Sequence, residues 1–123
     1  MESVDPLQRR GIVFRGMTGE TLKGHLELLL LAALSSRPVH GYGIAEILRQ
    51  RSRGTFALPE GTLYPALHRL EKSGLVVSRW TDESGRRRRV YELTAEGRRS
   101  LARREQDWQQ FSQAVNGIVE GIA

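Results

Sequence analysis

The stretch PEGTLYPALHRLEKSGLV, residues 59–76, constrains the fold more than any other part of this chain. Leu63, Ala66, Leu67 and Leu70 recur at i, i+3, i+4 and i+7, so a helix buries them as one stripe. The opposite face then holds Gly61, Pro65, His68 and Lys72, flanked by Thr62, Tyr64 and Arg69. Ser73-Gly74 stops the helix, glycine being the residue that tolerates a left-handed cap, and an apolar run follows at once. Glycine and proline both weaken a helix, and Pro65 forgoes the bond to the carbonyl of Gly61. Keeping them on the outer face makes sense where close approach matters more than helix strength. Small side chains near the start, free N–H groups at the positive dipole end and longer donors further along suit entry into a DNA major groove.

Two strand-like runs come next, LVVSRWT (75–81) and RRVYELT (88–94), joined by DESGR with Gly85 as the turn residue, which predicts a hairpin. Arg86, Arg87, Arg88 and Arg89 stand at or beside its tip. Asp82 and Glu83 relieve their mutual repulsion only in part; a polyanion relieves it better, and each neutralised phosphate releases counterions. Thr94 is the expected N-cap of a last helix with Glu96 in its first turn. That helix carries Leu101, Trp108, Phe111, Val115, Ile118 and Ile122 at steps of 7, 3, 4, 3 and 4, a heptad rhythm. A lone terminal helix has no partner for such a seam within a small domain, so a second copy of the chain is its expected partner.

Upstream, LKGHLELLLLAALSS (22–36) has leucine on nearly every side and is expected to be buried all round, against its own core and a second chain. GYGIAEILRQRS (41–52) puts Tyr42, Ile44, Ala45 and Leu48 on one side and sends Arg49, Arg51 and Arg53 outward. Residues 1–20 show no periodicity and are expected to be a mobile arm. The fold class is therefore mainly α with a small β-hairpin: a winged helix-turn-helix over residues 21–94, then a dimerisation helix over 95–123.

Charge agrees with this fold: 19 Lys plus Arg oppose 14 Asp plus Glu, for a formal net charge of +5. Most of the cations are arginine, whose planar fork suits phosphate. There is no cysteine, which excludes disulfides, thiolate zinc sites and cysteine nucleophiles. The longest apolar run, Leu28 to Leu34, falls far short of the ~20 residues of a membrane span. A cytoplasmic protein without membrane contact is expected. GMTGETLKG (16–24) lacks the Gly-Lys-Ser/Thr order of a phosphate-binding loop. No Ser–His–acid set or metal-spaced histidine pair points to catalysis, so neither an enzyme nor a cofactor or metal is expected.

The blocks HGYGIAEIL, LPEGTLYPALHRLEKSGLVVSRW and GRRRRVYELTAEGRRSL together resemble the PadR family of bacterial transcriptional regulators, over residues 22–104. The short terminal helix with Trp108 and Phe111 is similar to the subgroup that dimerises through a single terminal helix. The resemblance implies a homodimer on a palindromic double-stranded operator, repressing transcription until a small molecule or stress releases it. It departs from the family where Leu58-Pro59 replaces the usual polar cap of the recognition helix.

Carried onto this chain, the DNA-binding set is Gly61, Thr62, Tyr64, Pro65, His68, Arg69, Lys72, Arg86, Arg87 and Arg88. The dimer interface, which is also the candidate wall of a pocket for a hydrophobic or aromatic effector, is Leu26, Leu30, Leu101, Trp108, Phe111, Val115 and Ile118. Tyr64 is open to two roles, half-buried packing or a phosphate contact, and Trp108 to dimer core or pocket wall. His40 is expected to cap a helix and His25 to be a satisfied core or interface residue. The alternative function is a ligand-sequestering or protein-interaction module that keeps the fold without binding DNA.

Overall fold

The computed structural model describes residues 19–121. The expected arm, apart from its last two residues, and Ile122 of the heptad seam lie outside that range. Among the described residues four helices and three strands follow in the order α1 (Gly19–Ala33), β1 (Val39–His40), α2 (Gly41–Arg51), α3 (Glu60–Lys72), β2 (Val76–Glu83), β3 (Arg86–Leu93) and α4 (Ala95–Gly121). The strands form one antiparallel sheet in the order β1-β3-β2.

The core lies where α1, α2 and α3 meet the base of the sheet. Leu63, Ala66, Leu67 and Leu70 are buried as the stripe requires, against Leu31, Leu34, Ile44 and Val76. Leu26, Leu30, Leu31 and Ala33 of the leucine-rich α1 are buried within the chain itself, while Leu28 and Leu29 are half-buried and Ala32 is exposed. Leu26 and Leu30 are 3% and 0% exposed, and Leu101 at the start of α4 is 8% exposed. These three, expected at a subunit interface, belong instead to the protomer's own core, where α1 packs against α2, α3 and α4. Tyr42 also departs from expectation, lying exposed beside the apolar side of α2.

The glycines of HGYG answer a packing problem. A Cβ on Gly41 would sit 2.6 Å from the Tyr64 hydroxyl oxygen, and one on Gly43 would sit 2.6 Å from Val39 Cγ1. Tyr64 thus leans its ring on the backbone that opens α2, locking α3 to α2. Gly97 has the same role at the start of α4, where a Cβ would come within 2.0 Å of the Leu75 carbonyl oxygen.

The hairpin extends further than its sequence indicates. Ser84 and Gly85 both have positive φ, 55° and 71°, as a two-residue turn of the mirror-image type requires. The ladder therefore continues to Glu83↔Arg86, and the arginine run lies within β3, with only Arg86 bordering the turn. Strand β1, absent from the sequence reading, pairs Val39 with Tyr91 and His40 with Val90. Helix α4 starts as expected: the Thr94 hydroxyl oxygen accepts the Gly97 N–H at 2.9 Å. It is tied to α1 by Arg104–Glu27 at 2.8 Å, and to the turn that follows α1 by an Arg98 bond to the Ser35 carbonyl. Among the described residues no helix is long and apolar enough to cross a membrane.

Candidate nucleic-acid interface

Helix α3 presents two chemically opposite faces. Its inner face is the leucine stripe; Gly61, Pro65, His68, Arg69 and Lys72 lie exposed on the other side, with Thr62 half-buried at its edge. Pro59 stands at the N-cap position and offers no side-chain cap, which leaves first-turn N–H groups for an outside acceptor. Among the described residues nothing lies within 4 Å of where a Cβ on Gly61 would point. Internal packing does not explain that glycine. Tyr64 is divided between the two roles expected for it: one side packs on Gly41, yet the residue stays 40% exposed.

The stability consequence of Gly61 is direct. Gly61→Leu is expected to leave the melting transition unchanged or to raise stability by up to about 1 kcal/mol, because glycine is the weaker helix former and the space is open. Thermal and urea denaturation of the two proteins check it.

Strand alternation divides the arginine run. Arg87 and Arg89 share a face with Trp80, their guanidinium carbons lying 4.8 and 5.2 Å from its ring centroid. The ring quadrupole attracts both cations despite their mutual repulsion. Arg89 also reaches Glu71 of α3 at 3.5 Å, and Glu71 accepts a hydrogen bond from the Ser78 hydroxyl, so this corner fastens the wing to α3. Arg86 and Arg88 point to the other face, Arg88 toward His40. Arg86, Arg87 and Arg88 are exposed, with no ion-pair partner among the described residues.

Between the wing and the start of α2 lies an open groove of about 410 Å³, lined by His40, Gly41, Tyr42, Tyr64, Trp80, Tyr91 and the four arginines. Sequence reasoning passed over Trp80. Its signal was the Ser84-Gly85 turn: once that fixes the register, Trp80 falls opposite Arg89.

His40 caps α2 as expected, its Nδ1 accepting the Gly43 N–H at 3.1 Å. Burial, then the charges of Arg88 and Arg37, hold its imidazole below the ordinary value of 6.5. The folded state thus favours neutral His40. Its contribution to stability is complete above pH 6.5 and is lost as pH falls below that value through the lowered one. Denaturation midpoints followed downward from pH 7.5 should fall in the wild type more than in His40→Ser, whose cap does not titrate.

At the far end of the chain, Phe111 and Ile118 are 59% and 67% exposed, and Trp108 and Val115 are exposed beside them on one side of α4. Trp108 meets the His25 ring edge-on at 5.3 Å and Phe111 at 6.0 Å. From Glu105 to Gly121 every side chain except Ser112 is exposed.

Three packed helices followed by a two-stranded wing and closed by a short third strand define a winged helix-turn-helix protein. The model of the PadR-like family of transcriptional regulators matches residues 30–103. Transcriptional regulator Rv3488 of Mycobacterium tuberculosis is 36% identical over 98 residues, covering 80% of this chain and 89% of that protein. Among solved structures, a transcriptional regulator from Clostridium thermocellum has a TM-score of 0.74 at 28% identity, covering 82% of this chain and 99% of that one. A PadR-like transcriptional regulator from Bacillus cereus has a TM-score of 0.72 at 32% identity, covering 82% of this chain and 97% of that one. The chain belongs to the PadR-like family of transcriptional regulators.

Proposed function

We propose that this regulator binds duplex DNA as a homodimer, each subunit placing the outer face of α3 in a major groove and its wing on neighbouring phosphates. The observation that carries this is the Gly61–Pro65–His68–Lys72 face, small at one end and cationic at the other, with an open glycine that no internal contact requires. The wing adds Arg86, Arg87 and Arg88 beside it, and Thr62, Tyr64 and Arg69 flank it. The second copy of the chain joins through the apolar side of α4, from Trp108 through Phe111 and Val115 to Ile118. That side is exposed and keeps the heptad steps of a two-helix seam.

Two identical readers call for a two-fold symmetric operator with half-sites about 34 Å apart. Selection of bound duplexes from a random pool tests this. An enriched inverted repeat with half-site centres about 10 base pairs apart is expected; recovery of unenriched sequence would contradict it.

The regulator represses by occupying its operator, and a flat aromatic effector seated beside Trp108 and His25 releases it by shifting one subunit against the other. Quenching of Trp108 fluorescence, accompanied by loss of operator affinity, is the test. Quenching by a ligand in a protein that ignores DNA would favour the sequestering module instead.

A further inference from the structure

A neutral imidazole has one lone pair to offer and one N–H to donate. His40 is approached by two donors: the Gly43 N–H at Nδ1, 3.1 Å away, and the Arg88 guanidinium at Nε2, 2.9 Å away. Arginine keeps its protons throughout the accessible pH range. One of these contacts is therefore donor against donor. The Gly43 contact is the cap of α2, with His40 extended at φ −77°, ψ 161°, and the Gly43 N–H belongs to the first turn of that helix. With Nδ1 accepting, the ring proton lies on Nε2 and faces Arg88. A second ring proton offers no escape, because it would remove the cap acceptor.

An oxygen anion resolves the conflict, accepting from both Nε2–H and Arg88. Among the described residues that line this groove there is no carboxylate to serve, its walls being Tyr42, Tyr64, Trp80 and arginines. The Tyr42 ring lies parallel to that of His40, with ring centroids 6.4 Å apart. The groove is open along one side, so a chain-like polyanion can cross it.

We propose that His40 Nε2–H and Arg88 form a seat for one backbone phosphate of the bound duplex, making the cap of α2 a DNA-contacting residue. This rests on the DNA-binding reading above and adds one contact that reading does not require. The seat couples the two halves of the domain: the phosphate that draws in the wing also touches the start of α2.

The test scans the selected duplex with methylphosphonates, one neutral linkage at a time, against wild type, Arg88→Ala and His40→Ser. Serine retains a cap acceptor but is too short to reach the anion. The wild type is expected to lose about tenfold in affinity at one linkage per half-site, the worth of one charge-assisted hydrogen bond. Each variant is expected to lose a similar factor on unmodified duplex and to be less sensitive than the wild type to that same linkage. A loss at that linkage in His40→Ser as large as in the wild type overturns the seat while leaving DNA binding intact. A wild type that binds no duplex overturns both. Nitrogen-15 imidazole spectra of the wild type give a readout independent of the variants' folding. The Nε2–H tautomer is expected, with its proton shifted by DNA; an Nδ1–H tautomer overturns the proposal.

Discussion

Phe111→Glu combined with Ile118→Glu is expected to give a folded monomer that has lost its operator. Both side chains are among the most exposed large apolar groups of the chain, and neither belongs to the core cluster. Their loss therefore costs the protomer little. In the proposed dimer the same two positions fall on the heptad seam, where each carboxylate would be buried against its symmetry mate or an apolar side chain. Burying an unpaired charge costs several kcal/mol, more than a short two-helix seam can offset. The monomer then has one reading helix and one wing, and forfeits the second half-site as an intramolecular contact. Operator affinity is expected to fall by at least about 100-fold, given the avidity of linked sites. Sedimentation velocity and fluorescence anisotropy on the selected duplex measure the two effects, and circular dichroism confirms the fold. A double variant that stays dimeric would remove α4 from the interface.

Replacing Arg86, Arg87 and Arg88 together by alanine is the second large effect. The three are exposed without an ion-pair partner among the described residues, so their removal leaves the domain standing. Arg89 is left in place because Glu71 and Trp80 hold it, and removing it would loosen the wing from α3. Each phosphate contact contributes roughly 0.9 to the slope of log affinity against log salt. Three arginines on each of two subunits can therefore flatten that slope by up to about 5. The loss of affinity should be steep at low salt and shrink as salt rises. Salt titrations of both proteins on one duplex measure it; parallel lines would mean that the wing touches no phosphate.

How much of this was legible beforehand depends on the range of the interaction concerned. The α3 stripe, the Gly74 stop and the Thr94 cap were readable because each is decided within about one helical turn. The reach of the wing was not. Ser84 must adopt a left-handed backbone that serine rarely takes, and the pairing of Glu83 with Arg86 stabilises it only after the strands have met. Strand β1 is two residues that owe their conformation to β3, some fifty positions away. Leucines 26, 30 and 101 looked available to a partner because periodicity shows which side chains are apolar, not which neighbour covers them. Trp80 follows from the hairpin register once the Ser84-Gly85 turn is placed, whereas the double approach to His40 depends on a third strand and appears only in three dimensions.

The claim on which the rest depends is that the outer face of α3 meets DNA, and Gly61 tests it with the least ambiguity because nothing among the described residues crowds it. The decisive measurement is the affinity of wild type and Gly61→Leu for the same selected duplex, at matched salt and with equal thermal stability. A loss of at least about tenfold in the leucine variant is expected, since the added side chain has room in the free protein but not against a groove wall. Equal affinity in the two proteins would contradict the claim and move the DNA, if it binds at all, to another face.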